Sequence, residues 1–134
     1  MPMDEIVVPV GSDADVMLAR QKARGLAKPL RFSSSELTVI ATAISEIARN
    51  IVSYAGSGTI ALQLVERGKT RGLTVVARDQ GPGIADLVRV MEDGYSTSGG
   101  LGLGLPGSKR LMDEFDIVST PGKGTTIVMT KWER

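Results

Sequence analysis

The chain contains neither cysteine nor histidine among its 134 residues. Without cysteine it can form no disulfide bond and no thiolate metal site. Without histidine it has no imidazole base, no imidazole metal ligand and no residue that could carry a phosphohistidine. Any acid–base chemistry must therefore use Asp, Glu, Lys or Tyr side chains.

Aromatic residues, excess charge and long apolar runs are scarce as well. Aromatic residues make up 4% of the chain and hydrophobic residues 42%, so we expect an aliphatic core. The net charge is +1, which gives no electrostatic argument for nucleic acid or a membrane surface as partner. No apolar run approaches the roughly 20 residues of a membrane span, and residues 1–5 lack the basic region of a signal peptide. We therefore expect a cytoplasmic protein.

The order of predicted elements favours one domain over residues 1–134. Pro9 restricts the first strand to a sheet edge, and serine or aspartate caps precede the first two helices. Strands are predicted at 6–10, 59–66, 73–79, 116–120 and 125–132, helices at 13–28, 36–54, 86–92 and 105–114, and a loop at 93–104. This pattern predicts an α/β (α+β) two-layer sandwich, a mixed, mostly antiparallel sheet with helices on one face.

Two glycine clusters are the most informative local feature. Asp79 ends a predicted strand and enters Gly81-Pro82-Gly83, and a second cluster at 99–107 leads into a predicted helix. Glycine lets backbone N–H groups approach a ligand closely, and a helix N-terminus favours phosphate. An acid to read a polar ring and a loop to hold phosphates indicate a nucleotide site. The alternatives are an ordinary Asp–Gly turn and a flexible linker.

Two other nucleotide-binding motifs are excluded, one by its context and one because its sequence is absent. Residues 102–107 match G-x-G-x-x-G, but the dinucleotide fingerprint requires a strand directly before it and a parallel βαβ unit. Here a polar loop precedes the motif, and a predicted hairpin follows its helix. The sequence G-x-x-x-x-G-K-[ST] of a P-loop does not occur in the chain.

Glu46 and Asn50 lie at i and i+4 of the second predicted helix and share a face, roughly opposite Ile44 and Ile51. A carboxylate beside an amide oxygen could orient a nucleophile and ligate Mg²⁺. The alternative is a solvated polar face in which Glu46 pairs with Arg49.

Four motifs, in this order and spacing, resemble the N, G1, G2 and terminal Gly-Thr boxes of the GHKL (Bergerat-fold) ATP-binding family. They are Glu46-x-x-x-Asn50, Asp79-x-Gly81-x-Gly83, Gly100-x-Gly102-x-Gly104 and Gly124-Thr125. The resemblance covers nearly the whole chain and implies an α/β sandwich with an ATP lid between the second and third boxes. Segments 46–51, 91–100 and 111–115 look like the switch serine/threonine kinases of the bacterial stressosome, which are relatives of the anti-sigma-factor kinases.

The resemblance implies a role for each motif. Glu46 would orient or deprotonate the acceptor hydroxyl, and Asn50 would ligate the Mg²⁺ that bridges the phosphates of ATP. Asp79 would bind the adenine amine. The other implied nucleotide contacts are Gly81, Gly83 and Thr125 around the base, and Gly100, Leu101, Gly102, Leu103 and Gly104 around the β- and γ-phosphates.

The resemblance also implies partners. The phosphoryl acceptor would be a serine or threonine on a STAS-domain scaffold or antagonist protein, with Arg20 as a candidate contact. Phosphorylation would free the kinase to bind and activate a downstream output protein such as a PP2C-type phosphatase. Two alternatives remain open, an anti-sigma-factor kinase and a non-catalytic, nucleotide-gated binding module. Sensor histidine kinases share the fold, but this chain has no histidine to phosphorylate.

Overall fold

A computed structural model describes residues 5–81, 104–120 and 122–134 of the chain. The elements are β1 (Glu5–Val10), α1 (Asp13–Leu26), α2 (Ser34–Ala55), β2 (Gly58–Arg67), β3 (Thr70–Asp79), α3 (Gly104–Leu111), β4 (Glu114–Thr120) and β5 (Gly124–Trp132). The helix predicted at 86–92 and residues 93–103 of the loop predicted at 93–104 lie outside the described residues, while Gly104 belongs to α3 and not to that loop. No helix in the described ranges is long and apolar enough to cross a membrane.

The strands form one five-stranded sheet in the order β1-β2-β3-β5-β4. Its strand pairings among the described residues are antiparallel, which confirms the predicted, mostly antiparallel sheet. β1 lies at an edge, as Pro9 requires because it has no N–H to donate. The register aligns Asp79 of β3 with Gly58 of β2 and Thr125 of β5, so three chain segments meet at one end of the sheet.

The helices cover one face of the sheet and form an aliphatic core with it, as predicted. α2 begins at a capping box, in which Ser33 Oγ accepts from the backbone N–H of Glu36 and Glu36 Oε1 from that of Ser33, both at 3.0 Å. Its isoleucines at i, i+4, i+7 and i+11 are buried: Ile40, Ile44, Ile47 and Ile51. The predicted helical stripe is therefore confirmed.

The predicted turn over residues 67–72 is too long. β2 and β3 continue to Arg67 and from Thr70, which leaves a two-residue turn with φ +62° at Gly68. Gly72 lies within β3, where it pairs with Trp132 on β5. A side chain there would clash, because a β-carbon would come within 2.7 Å of the Trp132 ring. The glycine that suggested a turn thus provides space for an aromatic side chain on a neighbouring strand.

The helix predicted at 105–114 also ends too late. α3 ends at Leu111, and the Asp113 N–H donates to the Thr130 carbonyl at 3.0 Å. Glu114 then pairs with Thr130 as the first residue of β4. Pairing with β5 therefore places Glu114 in a strand, although the helical pattern had assigned it to the helix.

Gly124 is the position at which a side chain would disturb the sheet most directly. Its φ is +98°, and a β-carbon would lie 2.1 Å from the Asp79 carbonyl oxygen. We expect Gly124→Ala to lower the free energy of unfolding by about 3 kcal/mol, measured by urea denaturation, because strain and overpacking add. Gly122→Ala is the matched control, since φ is +80° there but nothing lies within 4 Å. Equal losses in both variants would contradict a specific constraint at Asp79.

Glu133 anchors the chain end at the opposite end of the sheet. Its carboxylate accepts from the Arg31 backbone N–H and from Arg71 Nη2, the latter at 3.2 Å. The Arg31 N–H, and secondarily Arg71, hold the pKa of Glu133 below its ordinary value of 4.5. The stabilisation is therefore present above about pH 4.5 and is lost as pH falls through the lower, folded-state pKa.

We expect Glu133→Gln to lower the melting temperature at neutral pH, with the difference from the parent shrinking as pH falls. Thermal unfolding followed between about pH 7 and about pH 3 measures this dependence. Glu66→Gln, at an exposed strand position, controls for the loss of one negative charge. A difference that stays constant down to the lowest pH would contradict the charge-dependent role of Glu133.

Candidate functional site

Asp79 lies at the sheet end where β2, β3 and β5 meet, and it is buried there. Its Oδ1 atom accepts a hydrogen bond from the Gly81 N–H at 3.0 Å. This bond orients the carboxylate at the point where the chain leaves β3. The turn alternative and the predicted site are thus compatible, because the bond within the turn is what holds the acid in place.

Thr125 lies opposite Asp79 on β5 and is also buried. Its hydroxyl lies 2.9 Å from Ser119 Oγ, and Ser119 is aligned with it on β4. Sequence reasoning did not single out Ser119. Ser119 lies two residues after Ile117 and four after Phe115, so the three side chains share one face of β4. This spacing was the available signal that its side chain lies on the helix-covered face.

The C-terminal half of α2 packs close against this end of the sheet. A β-carbon on Gly81 would lie 2.5 Å from the Ala55 β-carbon, and one on Gly58 would lie 2.9 Å from Ile51 Cγ2. Both glycines are therefore needed for the close approach of helix and sheet. Asn50 directly precedes Ile51, so the helix turn carrying it lies beside the sheet end that carries Asp79.

Glu46 and Asn50 are buried, with 4% and 8% of their surface exposed. The alternative of a solvated polar face is therefore wrong, although its ion pair is present: Arg49 Nη1 lies 3.5 Å from Glu46 Oε1. α2 is covered by more than the sheet, since Ser108 Oγ of α3 donates to the Ala43 carbonyl at 3.4 Å. A buried polar face indicates a functional site more strongly than a polar face on the surface, because burying a carboxylate is costly.

Of the remaining predicted site residues, two are described by the structure and five are not. Gly104 is the first residue of α3, with Pro106 in the first turn, close to the predicted helix start. Arg20 lies on α1 and lines a groove of about 210 Å³ between α1 and α2. The predicted contacts that fall outside the described residues are Gly83, Gly100, Leu101, Gly102 and Leu103.

The donors at this site suit a magnesium ion held mainly by phosphates. In the described parts of the chain, no three acidic, histidine or cysteine residues cluster to hold a metal. Mg²⁺ typically takes only one or two protein ligands and completes its shell with water and substrate phosphates. The Asn50 amide oxygen is an oxygen donor of that kind, and it shares a face of α2 with Glu46.

Comparison with known proteins agrees with the sheet and the helices that the structure shows. Residues 36–134 match the family described as histidine kinase-, DNA gyrase B- and HSP90-like ATPases. The chain is 54% identical over 132 residues to the serine/threonine-protein kinase RsbT of Bacillus subtilis, covering 98% of both chains. It is 30% identical to an anti-sigma F factor of Caldanaerobacter subterraneus, covering 85% of this chain and 82% of that protein.

Two solved structures share the fold at low sequence identity. The RsbU and RsbW domains of a Mycobacterium tuberculosis protein superimpose with a TM-score of 0.65 at 19% identity, covering 99% of this chain and 34% of that one. The SiaB–SiaC complex of Pseudomonas aeruginosa gives a TM-score of 0.56 at 15% identity, covering 98% and 90%.

The chain therefore belongs to the histidine kinase-, DNA gyrase B- and HSP90-like ATPase family, which confirms the resemblance noted from its motifs. Within this family it is a protein kinase of the serine/threonine class, since its similarity to such a kinase extends over nearly the whole of both chains.

Proposed function

We propose that this kinase uses Mg-ATP to phosphorylate a serine or threonine on a STAS-domain scaffold or antagonist protein of a stressosome-type pathway. After phosphorylation it binds and activates a downstream output protein, such as a PP2C-type phosphatase, in the cytoplasm. The observation that carries this proposal is the buried Glu46 carboxylate beside Asn50 in a chain without histidine. A carboxylate can activate a hydroxyl acceptor, and no imidazole competes for that role.

The nucleotide would lie along the sheet end that carries Asp79. The Gly81 N–H orients Asp79 Oδ1, and the carboxylate accepts from the exocyclic amine of adenine. Thr125 lies opposite Asp79, and it would contact the base together with Gly83. Backbone N–H groups of residues 100–104 would hold the β- and γ-phosphates.

Asn50 would hold the Mg²⁺ ion through its amide oxygen. Such an ion would supply positive charge that offsets the negative charge developing on the phosphates during transfer. Glu46, one helical turn earlier, positions the acceptor hydroxyl. Because phosphoryl transfer depends chiefly on positioning and charge stabilisation, these groups can suffice.

The transfer step balances with Glu46 as the proton acceptor. The acceptor oxygen forms a bond to the γ-phosphorus, and the bond from that phosphorus to the bridging oxygen of ADP breaks. The hydroxyl proton passes to a Glu46 carboxylate oxygen, and ADP carries away the electron pair of the broken bond. The carboxylate must be directed at the acceptor hydroxyl when the acceptor arrives.

A second candidate function is that of an anti-sigma-factor kinase. The 30% identity to an anti-sigma F factor over 85% of the chain favours it. Both candidates use the same nucleotide site and differ only in the protein that is bound. A binding module without transferase activity is the remaining alternative from the sequence.

Incubation with labelled ATP and purified STAS-domain proteins, followed by mapping of the modified residue, tests the proposal. Label on one serine or threonine of a STAS protein is the expected result. A parallel pull-down compares retention of a sigma factor with retention of the STAS protein, and retention of sigma alone would favour the second candidate. Binding of ATP and a STAS protein without any transfer would overturn the kinase assignment in favour of a binding module.

A further inference from the structure

Arg49 forms an ion pair with Glu46 in which the two side chains differ sharply in burial. Arg49 Nη1 lies 3.5 Å from Glu46 Oε1, three residues further along α2. The arginine side chain is 36% exposed and the glutamate side chain 2%. By contrast, both partners are largely exposed in the Arg67–Glu114 pair, at 69% and 44%. The buried anion of α2 is thus paired with a cation that reaches solvent.

This asymmetry decides what Arg49 does for Glu46. An exposed ion pair spaced i,i+3 on a helix contributes only a few tenths of a kcal/mol, but here one partner, Glu46, is buried. A carboxylate buried without a cation is far more costly, so without Arg49 the Glu46 side chain would turn toward solvent. That turn would remove the correctly directed carboxylate that the transfer step requires.

We propose that Arg49 is a positioning residue for phosphotransfer. It holds the Glu46 carboxylate in place, directed along α2, before the acceptor hydroxyl arrives. Arg49 acts through Glu46 and forms no bond to the reacting atoms. The inference rests on the role proposed for Glu46. It adds Arg49 as the group that keeps that carboxylate in position for the transfer step.

A kinetic test uses Arg49→Met, Arg49→Lys and each change combined with Glu46→Gln. Arg49→Met removes the charge and keeps a flexible side chain of moderate length. We expect it to lower kcat for transfer to a STAS protein about tenfold, while KM and Kd for ATP change less than about twofold. Arg49→Lys should restore most of kcat, because it restores the positive charge. In the Glu46→Gln background, Arg49→Met should change kcat by less than about twofold, because the group it acts through is gone.

A second test is independent of activity. Arg49→Met leaves Glu46 as a buried, unpaired carboxylate, so we expect its melting temperature to fall by about 3 °C or more. Adding Glu46→Gln should recover most of this loss, because no buried charge remains. Arg67→Met, which breaks an exposed pair at the far end of the sheet, is the matched control and should show no such recovery with Glu46→Gln.

The possible outcomes separate this inference from the proposed function. A parent protein that transfers no phosphate would overturn both. Full transfer by Arg49→Met, with the parent active and Glu46→Gln inactive, would overturn the role of Arg49 alone. An equal loss from Arg49→Met in the parent and Glu46→Gln backgrounds would overturn it as well, since Arg49 would then act on the substrates directly.

Discussion

Glu46→Gln is expected to lower kcat for phosphotransfer by about 10³-fold while ATP binds with nearly the affinity of the parent. The amide has the shape of the carboxylate but cannot accept a proton from the acceptor hydroxyl. Glutamine also removes the charge from a position where Glu46 is 4% exposed, so the fold should tolerate the change. Transfer of label from ATP to a STAS-domain protein measures kcat, and calorimetry measures ATP affinity.

Ser45→Ala provides the matched control for Glu46→Gln. Ser45 is a buried polar neighbour on α2, and its hydroxyl donates to the Ala41 carbonyl at 2.9 Å within the same helix. We expect this variant to transfer phosphate within about threefold of the parent, because α2 carries the same backbone hydrogen bonds without it. Unchanged transfer by Glu46→Gln would remove Glu46 from the mechanism.

Asp79→Asn is expected to weaken ATP binding about 30-fold, which corresponds to about 2 kcal/mol. Asparagine can still accept the Gly81 N–H bond through its oxygen, which leaves an NH₂ group where the adenine amine needs an acceptor. The loss should therefore fall on affinity and not on folding. Calorimetry with Mg-ATP measures the affinity, and thermal unfolding checks the fold.

The choice of nucleotide makes the Asp79 test specific. Inosine triphosphate carries an oxygen in place of the adenine amine, so the parent should prefer ATP, and Asp79→Asn should lose that preference. Asp116→Asn, at an exposed position on β4, controls for the loss of an acidic charge. ATP binding at parent affinity by both Asp79→Asn and Asn50→Ala would mean that the nucleotide site lies elsewhere.

Local sequence patterns were sufficient to predict most elements of the fold. The Ser33–Glu36 capping box and the isoleucine spacing of α2 are interactions within one helix, so they can be read without knowledge of the tertiary structure. Pro9 predicted an edge strand for the same reason, because its missing N–H is a property of that residue alone. The roles of the site residues, including those outside the described ranges, stay predictions.

The errors arose where distant segments meet. Gly72 resembled a turn residue, yet it lies in β3 and pairs with Trp132. Glycine is needed there because the Trp132 ring occupies the space beside it. Residues 112–114 resembled a continuing helix, yet Glu114 pairs with Thr130 on β5. A periodic pattern cannot reveal a partner that approaches from another part of the chain, so these boundaries required the tertiary structure.

The sequence by itself determined which chemistry is available to this kinase. The lack of histidine and cysteine restricts the candidate base to Asp, Glu, Lys or Tyr, and the order of the Glu46, Asp79 and glycine motifs indicates the family. Only the tertiary structure decided that Glu46 is buried and paired with Arg49, and that Asp79 lies opposite Thr125. The physical reason is that residue type and spacing are local properties, whereas burial and strand register depend on segments that the fold brings together.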